Sequence, residues 1–131
     1  MISKKKRVYL RDTDATGVIY FTEQLRLAVE VFEDYLASCG IGVYKILDGG
    51  EVVFPIVHVE ADYVKPIFVG DELEIFLSIK EIGDRSFTLG YSFYRDGGEV
   101  GRAAIVHVCM HREDKVAVPI PPGLLVELTH I

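Results

Sequence analysis

The chain has 131 residues, 20 of them acidic and 14 basic, for a formal net charge of -6. That length makes one domain burying about 68% of the surface its unfolded form exposes, and the acidic balance disfavours a nucleic-acid partner unless basic charge is clustered. No apolar run is long enough to span a bilayer and no apolar segment follows the basic start, so neither a membrane protein nor a signal peptide is expected.

In chain order, Lys4 to Arg7 open an apolar segment that reads as an N-terminal strand, its cations lining a solvated edge. Next comes Arg11-Asp12-Thr13-Asp14-Ala15-Thr16-Gly17-Val18-Ile19-Tyr20-Phe21, which runs directly into a helix predicted from Thr22 to Ser38. Leu25, Ala28, Val29, Phe32 and Leu36 recur at helical spacing as its apolar face, with Arg26, Glu30, Glu33 and Asp34 largely opposite. Gly40 stops it, with Gly42 just beyond. From the residues alone Asp14 reads as an N-cap at the helix entrance, where unpartnered N–H groups and a partial positive charge could hold a carbonyl oxygen beside it. Asp12 reads as structural, orienting the turn or pairing with Arg11.

After a turn around Asp48-Gly49-Gly50, strand-like runs span Val53 to Val64, Leu73 to Ile82, Ser86 to Tyr94 and Val100 to His111. Turn chemistry separates them: Pro66 and Gly70-Asp71, then Gly83-Asp84, then Asp96-Gly97-Gly98, the strongest hairpin signal. The last three runs are expected to form an antiparallel meander. With no repeat, no linker and one long helix, the economical architecture is α+β, a curved antiparallel sheet wrapped on a single helix and joined by the N-terminal strand.

Cys39 and Cys109 lack framework spacing and read as buried thiols of a reducing, cytoplasmic compartment. His107, Cys109 and His111 alternate along one predicted strand, but same-face neighbours about 7 Å apart do not converge three at a time on zinc. Cys109 is therefore expected as packing, the histidines as partly exposed strand residues, and no metal site. Serine-esterase elbows, phosphate-cradling glycine loops and Cys-x-x-Cys pairs are missing from the sequence.

The order of strand, Asp-containing turn, long helix and strands resembles the hotdog fold of the 4-hydroxybenzoyl-CoA thioesterase family across nearly the whole chain. Asp12-Thr13-Asp14-Ala15-Thr16-Gly17-Val18-Ile19-Tyr20-Phe21 matches that family's Asp-x-Asp-x-x-Gly-hydrophobic-hydrophobic-aromatic signature. Pro55-Ile56-Val57, Ala61-Asp62-Tyr63, Pro66, Gly70-Asp71 and Arg85-Ser86-Phe87 fall where members carry comparable residues. The resemblance implies an acyl-CoA thioesterase with Asp14 as nucleophile or general base and an oxyanion contact from backbone N–H near Tyr20 and Phe21. It also implies Gly17, Arg85 and Ser86 as substrate-contacting positions, the last two reaching the CoA from the subunit opposite Asp14, no cofactor beyond the CoA of the substrate, and a homodimer or a tetramer of dimers with sites at the interface.

Phe21 and Glu23 stand where many short-chain acyl-CoA members have His and Asn. The apolar residue at 21 is similar to the 1,4-dihydroxy-2-naphthoyl-CoA thioesterase branch, which points to an aromatic acyl group. Gly83-Asp84-Arg85-Ser86 keeps one cation of an Arg-rich nucleotide-contacting turn. Rival expectations are a catalytically silent hotdog domain that binds acyl-CoA or an acylated carrier, and a short-chain aliphatic thioesterase. A helix carboxylate, Glu30 or Glu33, serves as catalyst in another hotdog branch and here reads as solvated or interfacial; a hotdog dehydratase would need a His near the helix start.

Overall fold

A computed structural model describes residues 1–42 and 50–131, so the expected turn at Asp48-Gly49 lies outside the described residues. The described elements are β1 (Ile2–Arg7), a single 3-10 turn (Leu10–Asp12), α1 (Glu23–Ser38), β2 (Val52–Val53), β3 (Ile56–Tyr63), β4 (Glu72–Ile82), β5 (Ser86–Arg95), β6 (Gly98–Val108), β7 (Met110–His111) and α2 (Pro122–Thr129). One antiparallel sheet runs β1-β4-β5-β6-β3, and β2 pairs with β7 in a separate two-stranded ribbon. The meander β4-β5-β6 forms as expected. Its β5–β6 turn places both Asp96 and Gly97 at positive φ, the backbone twist that a two-residue hairpin loop requires.

Two strand predictions divide. The run from Val53 splits at Phe54-Pro55, where proline has no N–H to give a ladder, so β2 leaves the main sheet and β3 begins at Ile56. The run from Val100 splits at Cys109, whose N–H turns to the Arg85 carbonyl at 2.8 Å. His107, Cys109 and His111 therefore do not share one strand. His107 is buried rather than partly exposed: its ring stacks on Phe87 at 5.0 Å between centroids, and Nδ1 lies 2.8 Å from the Phe54 carbonyl. Burial in that aromatic cluster holds its pKa below the ordinary histidine value.

Helix α1 lies against the concave face of the sheet with Leu27, Ala28, Val31, Phe32, Tyr35 and Leu36 buried. The buried face is thus rotated from the predicted one, and Leu25 and Val29 form its half-buried margin. From the sheet, Leu73, Ile75, Leu77, Phe87, Leu89, Phe93 and Ile105 meet it, each essentially inaccessible to water. Side chains of this size contribute roughly 1.5–3 kcal/mol each on burial. The helix ends as expected: Gly40 takes φ +80°, and the Gly42 N–H returns to the Leu36 carbonyl at 3.1 Å.

Helix α2 went unpredicted. Pro121-Pro122 starts it, Leu124 and Leu128 bury its inner side, and the Tyr35 hydroxyl donates to the Glu127 carbonyl at 2.6 Å. Cys109 is buried, which pushes its thiol up to about 11, and Cys39 is half-buried.

The sheet has two unequal edges. On β1 the cations Lys4, Lys5 and Arg7 are exposed, while Lys6 reaches Asp34 of α1 at 2.8 Å. On β3 nearly every residue is exposed, including Val57, Val59 and Tyr63. Val59, Ala61 and Tyr63 lie opposite Ile105, Ala103 and Gly101 and so share the concave face, beyond the cover that α1 supplies.

Candidate active site

The Asp-rich segment is not a helix cap. Thr22 is the residue preceding α1, and the chain before it forms a small hairpin. Thr13 bridges Ile19, the Asp14 N–H donates to the Val18 carbonyl at 3.0 Å, and the Tyr20 N–H donates to the Asp12 carbonyl at 2.8 Å. Gly17 turns the tip at φ +80°, a conformation that a β-carbon resists. The segment from Pro66 to Asp71 backs this hairpin. Ile19 N–H meets the Ile67 carbonyl at 2.7 Å, Val69 N–H meets that of Gly17 at 3.2 Å, and Val18 bridges Phe68. Residues 67–69, bounded by Pro66 and Gly70-Asp71, thus form the third strand-like layer beside the hairpin.

Asp12 is the anchor. Its side chain is 1% exposed, with Oδ2 accepting the Tyr9 N–H at 2.9 Å and Oδ1 accepting Arg26 Nη2 at 2.8 Å. Arg11, the expected partner, is exposed and stands 3.7 Å away. Arg26 also donates to Glu23 and Glu30, so one guanidinium ties the hairpin to the first two turns of α1. Sequence reasoning placed Arg26 on the outer side of the helix and missed this role, because no local pattern links residues 12 and 26.

Asp14 stands exposed at the tip. Its Oδ1 accepts the Thr16 N–H at 2.8 Å and the Thr16 hydroxyl at 2.5 Å, and these two donors hold its carboxyl below the usual carboxylate range. No donor among the described residues reaches Oδ2. The predicted oxyanion donors divide. The Tyr20 amide is already committed to Asp12, whereas the Phe21 and Thr22 N–H groups donate to no described residue. The rings of Tyr20 and Phe21 are exposed, 4.8 Å apart, and the Tyr63 hydroxyl of β3 donates to the Phe21 carbonyl. A carboxylate, an open amide and an apolar rim thus lie along one border of the molecule, beside the bare strand β3.

Arg85 and Ser86 are not part of that border. They occupy the turn between β4 and β5, Arg85 exposed with Asp84 at 3.5 Å. Asp14 belongs to the end of the sheet where β4 starts, since Gly70 and Asp71 bond to Val8 there. Eleven residues of β4, about 35 Å at ~3.3 Å each, separate the two ends. Two cavities, of about 510 and 580 Å³, also lie elsewhere: one beside Phe76 and Tyr94, the other between Cys39, Phe54 and Leu124. Neither is lined by Asp14. No cluster of three or more His, Cys, Asp or Glu side chains that could hold a metal ion occurs among the described residues.

The family model of the thioesterase-like superfamily matches residues 8–128. The chain belongs to the thioesterase-like superfamily. Among its curated relatives, the 1,4-dihydroxy-2-naphthoyl-CoA hydrolase of Acaryochloris marina is 35% identical over 123 residues, covering 92% of this chain and 90% of that protein. The enzyme of the same name from Trichodesmium erythraeum is 37% identical over 114 residues, covering 85% and 83%. Among solved structures, a 1,4-dihydroxy-2-naphthoyl-CoA thioesterase from Synechocystis superposes with a TM-score of 0.92 at 27% identity, covering 98% of this chain and 96% of its own. A gentisyl-coenzyme A thioesterase superposes at 0.87 and 25% identity, covering 97% and 99%. This thioesterase-like chain has the hotdog architecture, a curved antiparallel sheet on one long helix. No helix among the described residues is long and apolar enough to cross a membrane.

Proposed function

We propose that the protein hydrolyses the thioester of an aromatic acyl-CoA to the free acid and CoA, with Asp14 as the catalytic carboxylate. The observation that carries this reading is an exposed carboxylate with one oxygen unoccupied, on a hairpin leading to an amide, that of Phe21, with no described partner. The Phe21 N–H polarises the thioester carbonyl and stabilises the oxyanion that develops there. Asp14 Oδ2 then either attacks the carbonyl carbon, displacing CoA thiolate and leaving an anhydride for water to open, or takes a proton from water as that water attacks. Both routes break the C–S bond and return CoA and acid. The exposed rings of Tyr20 and Phe21 and the apolar side of Val59 and Tyr63 support an aromatic acyl group, as do the activities of the relatives.

The working unit in this reading is a dimer in the cytoplasm, made by antiparallel pairing of β3 with a second copy. Pairing removes an open edge that leaves Val57, Val59 and Tyr63 in water. It also brings the Ile56 end of one β3 to the Tyr63 end of the other. Ile56 pairs with His107, and His107 with Phe87, so the turn carrying Arg85 and Ser86 of the second copy approaches the Phe21 border. A cation there suits the CoA phosphates.

Asp14→Asn tests the assignment. The amide retains shape but neither attacks nor accepts a proton, so kcat should fall at least 10²-fold, the low end for a general base, with folding and acyl-CoA binding intact. Retention of more than about a tenth of wild-type kcat, measured by thiol release from benzoyl-, naphthoyl- and short aliphatic acyl-CoAs, would refute it. A preference for the aliphatic substrates would refute the aromatic assignment alone, and thiol release absent from every acyl-CoA would favour the silent binding domain.

A further inference from the structure

Thr16 lies inside the signature, two residues beyond Asp14, and both its hydroxyl and its N–H meet the Asp14 carboxylate. We infer that Thr16 is a positioning residue for Asp14: its hydroxyl fixes Oδ1 so that Oδ2 alone is presented to the thioester. This rests on the catalytic reading of Asp14. An ionised carboxylate only accepts, so the hydroxyl, 2.5 Å from Oδ1, must be the donor. The Val18 N–H, 3.4 Å from Oγ1, points at the hydroxyl oxygen from the other side and favours the same proton placement. The Thr16 N–H, at 2.8 Å, adds a second bond to the same oxygen.

Three consequences follow from that asymmetry. The carboxylate on an exposed hairpin tip loses rotational freedom about its last bond, a cost otherwise met at each turnover. One oxygen is saturated and the other is left bare for the carbonyl carbon or the attacking water. The two Thr16 donors, hydroxyl first, favour the charged form and so keep Asp14 ionised to lower pH. Alanine or glycine at 16 would supply the N–H but not the hydroxyl.

The experiment compares Thr16→Val, which removes the hydroxyl at nearly constant shape, with Thr16→Ser, which restores it. Two readouts are used: thiol release from benzoyl-CoA across pH, and a carbon-13 NMR titration of the Asp14 carboxyl that needs no substrate. Thr16→Val should lower kcat about three- to tenfold, the range for one partly exposed hydrogen bond to a charged group, with KM within about twofold. It should also move the acid limb and the Asp14 titration upward by about half a pH unit or more, and Thr16→Ser should bring all of these back. If valine impairs folding, Thr16→Ala takes its place with the same expectations. Wild-type kcat and an unmoved titration in the valine variant would overturn the inference, as would equal damage from valine and serine. An Asp14→Asn variant that keeps its rate would overturn the catalytic reading itself; an inactive Asn variant beside a normal Thr16→Val removes only the role of Thr16.

Discussion

Replacing Arg26 with Met tests whether the hairpin is clamped to α1 as described. The thioether chain covers the aliphatic path of arginine but leaves Asp12, 1% exposed, with the Tyr9 N–H and the more distant, solvent-screened Arg11 guanidinium at 3.7 Å. Orphaning a fully buried charge costs about 3–5 kcal/mol. The Arg26 side chain is 36% exposed, so solvent screening reduces the expected loss to about 2–3 kcal/mol. At this chain length each kcal/mol lowers Tm by about 3–5 °C, giving a drop of about 6–15 °C in a calorimetric or circular-dichroism melt. Activity should fall too, because the Asp12 carbonyl holds the Tyr20 amide and the Asp12 side chain holds the turn before Asp14. The double variant Asp12→Asn/Arg26→Met should recover part of the lost stability, since the uncharged amide needs no cation. A single Met variant melting within 2 °C of wild type, or a double variant less stable than the sum of the singles, would refute the clamp.

A β-carbon at Gly101 would stand 2.8 Å from the Gln24 amide, which bonds the Asp62 and Arg102 carbonyls, so Gly101→Ala should cost about 1–3 kcal/mol. At Gly90 the nearest atoms to a β-carbon are those of the flexible Lys80 side chain, from 3.0 Å, so Gly90→Ala should cost less than Gly101→Ala in parallel urea titrations. His107, with its folded pKa below the unfolded value of about 6.5, binds its proton more readily when unfolded. Its contribution is therefore complete above about pH 6.5 and is lost as pH falls toward the depressed folded value. His107→Phe should flatten the Tm profile between pH 7 and 5, and an equally steep profile in that variant would exclude the residue as its source. Val59→Lys, placing a charge on the bare strand β3, should yield folded monomers by sedimentation with little thiol release; an active, intact oligomer would show that β3 is not the interface.

Strand alternation and turn chemistry place β4, β5 and α1 within one residue and the start of β6 within two, because Leu73, Ile75 and Leu77 alternate cleanly and Gly40 and Asp96-Gly97 have strong local preferences. Local signals misled where a tertiary partner decided the outcome. Asp14 looked like a cap because the motif abuts a helix, yet backbone bonds from 66–71 draw that segment into a hairpin and leave capping aside. Arg26 looked solvated because Asp12, its partner, is remote in sequence. The helix face was misjudged by one position since Leu25 and Val29 are apolar too, and only the depth of the sheet selects Leu27, Val31 and Tyr35. Helix α2 is short and Pro-led, and its burial depends on a groove against α1 that no local pattern announces. Arg85 and Ser86 lie in the β4–β5 turn, at the opposite end of the chain's own sheet from Asp14, which leaves only the site of an opposite subunit for them to serve.

The strand order has a consequence for how the chain acquires its structure. The hairpins β4–β5 and β5–β6 close locally, whereas Ile2 finds its ladder partner in Leu77 and Val59 finds its own in Ile105. Loop-closure entropy makes such distant pairings late unless something already built rewards them. The meander is therefore expected to form first, with both outer strands added to it. During synthesis the motif bearing Asp14 precedes β4 and has no sheet to rest on until β4 exists. The chemistry-bearing segment is made before β4 yet rests on backbone that β4 anchors, so a reactive carboxylate and its apolar rim should stay unformed until that scaffold exists.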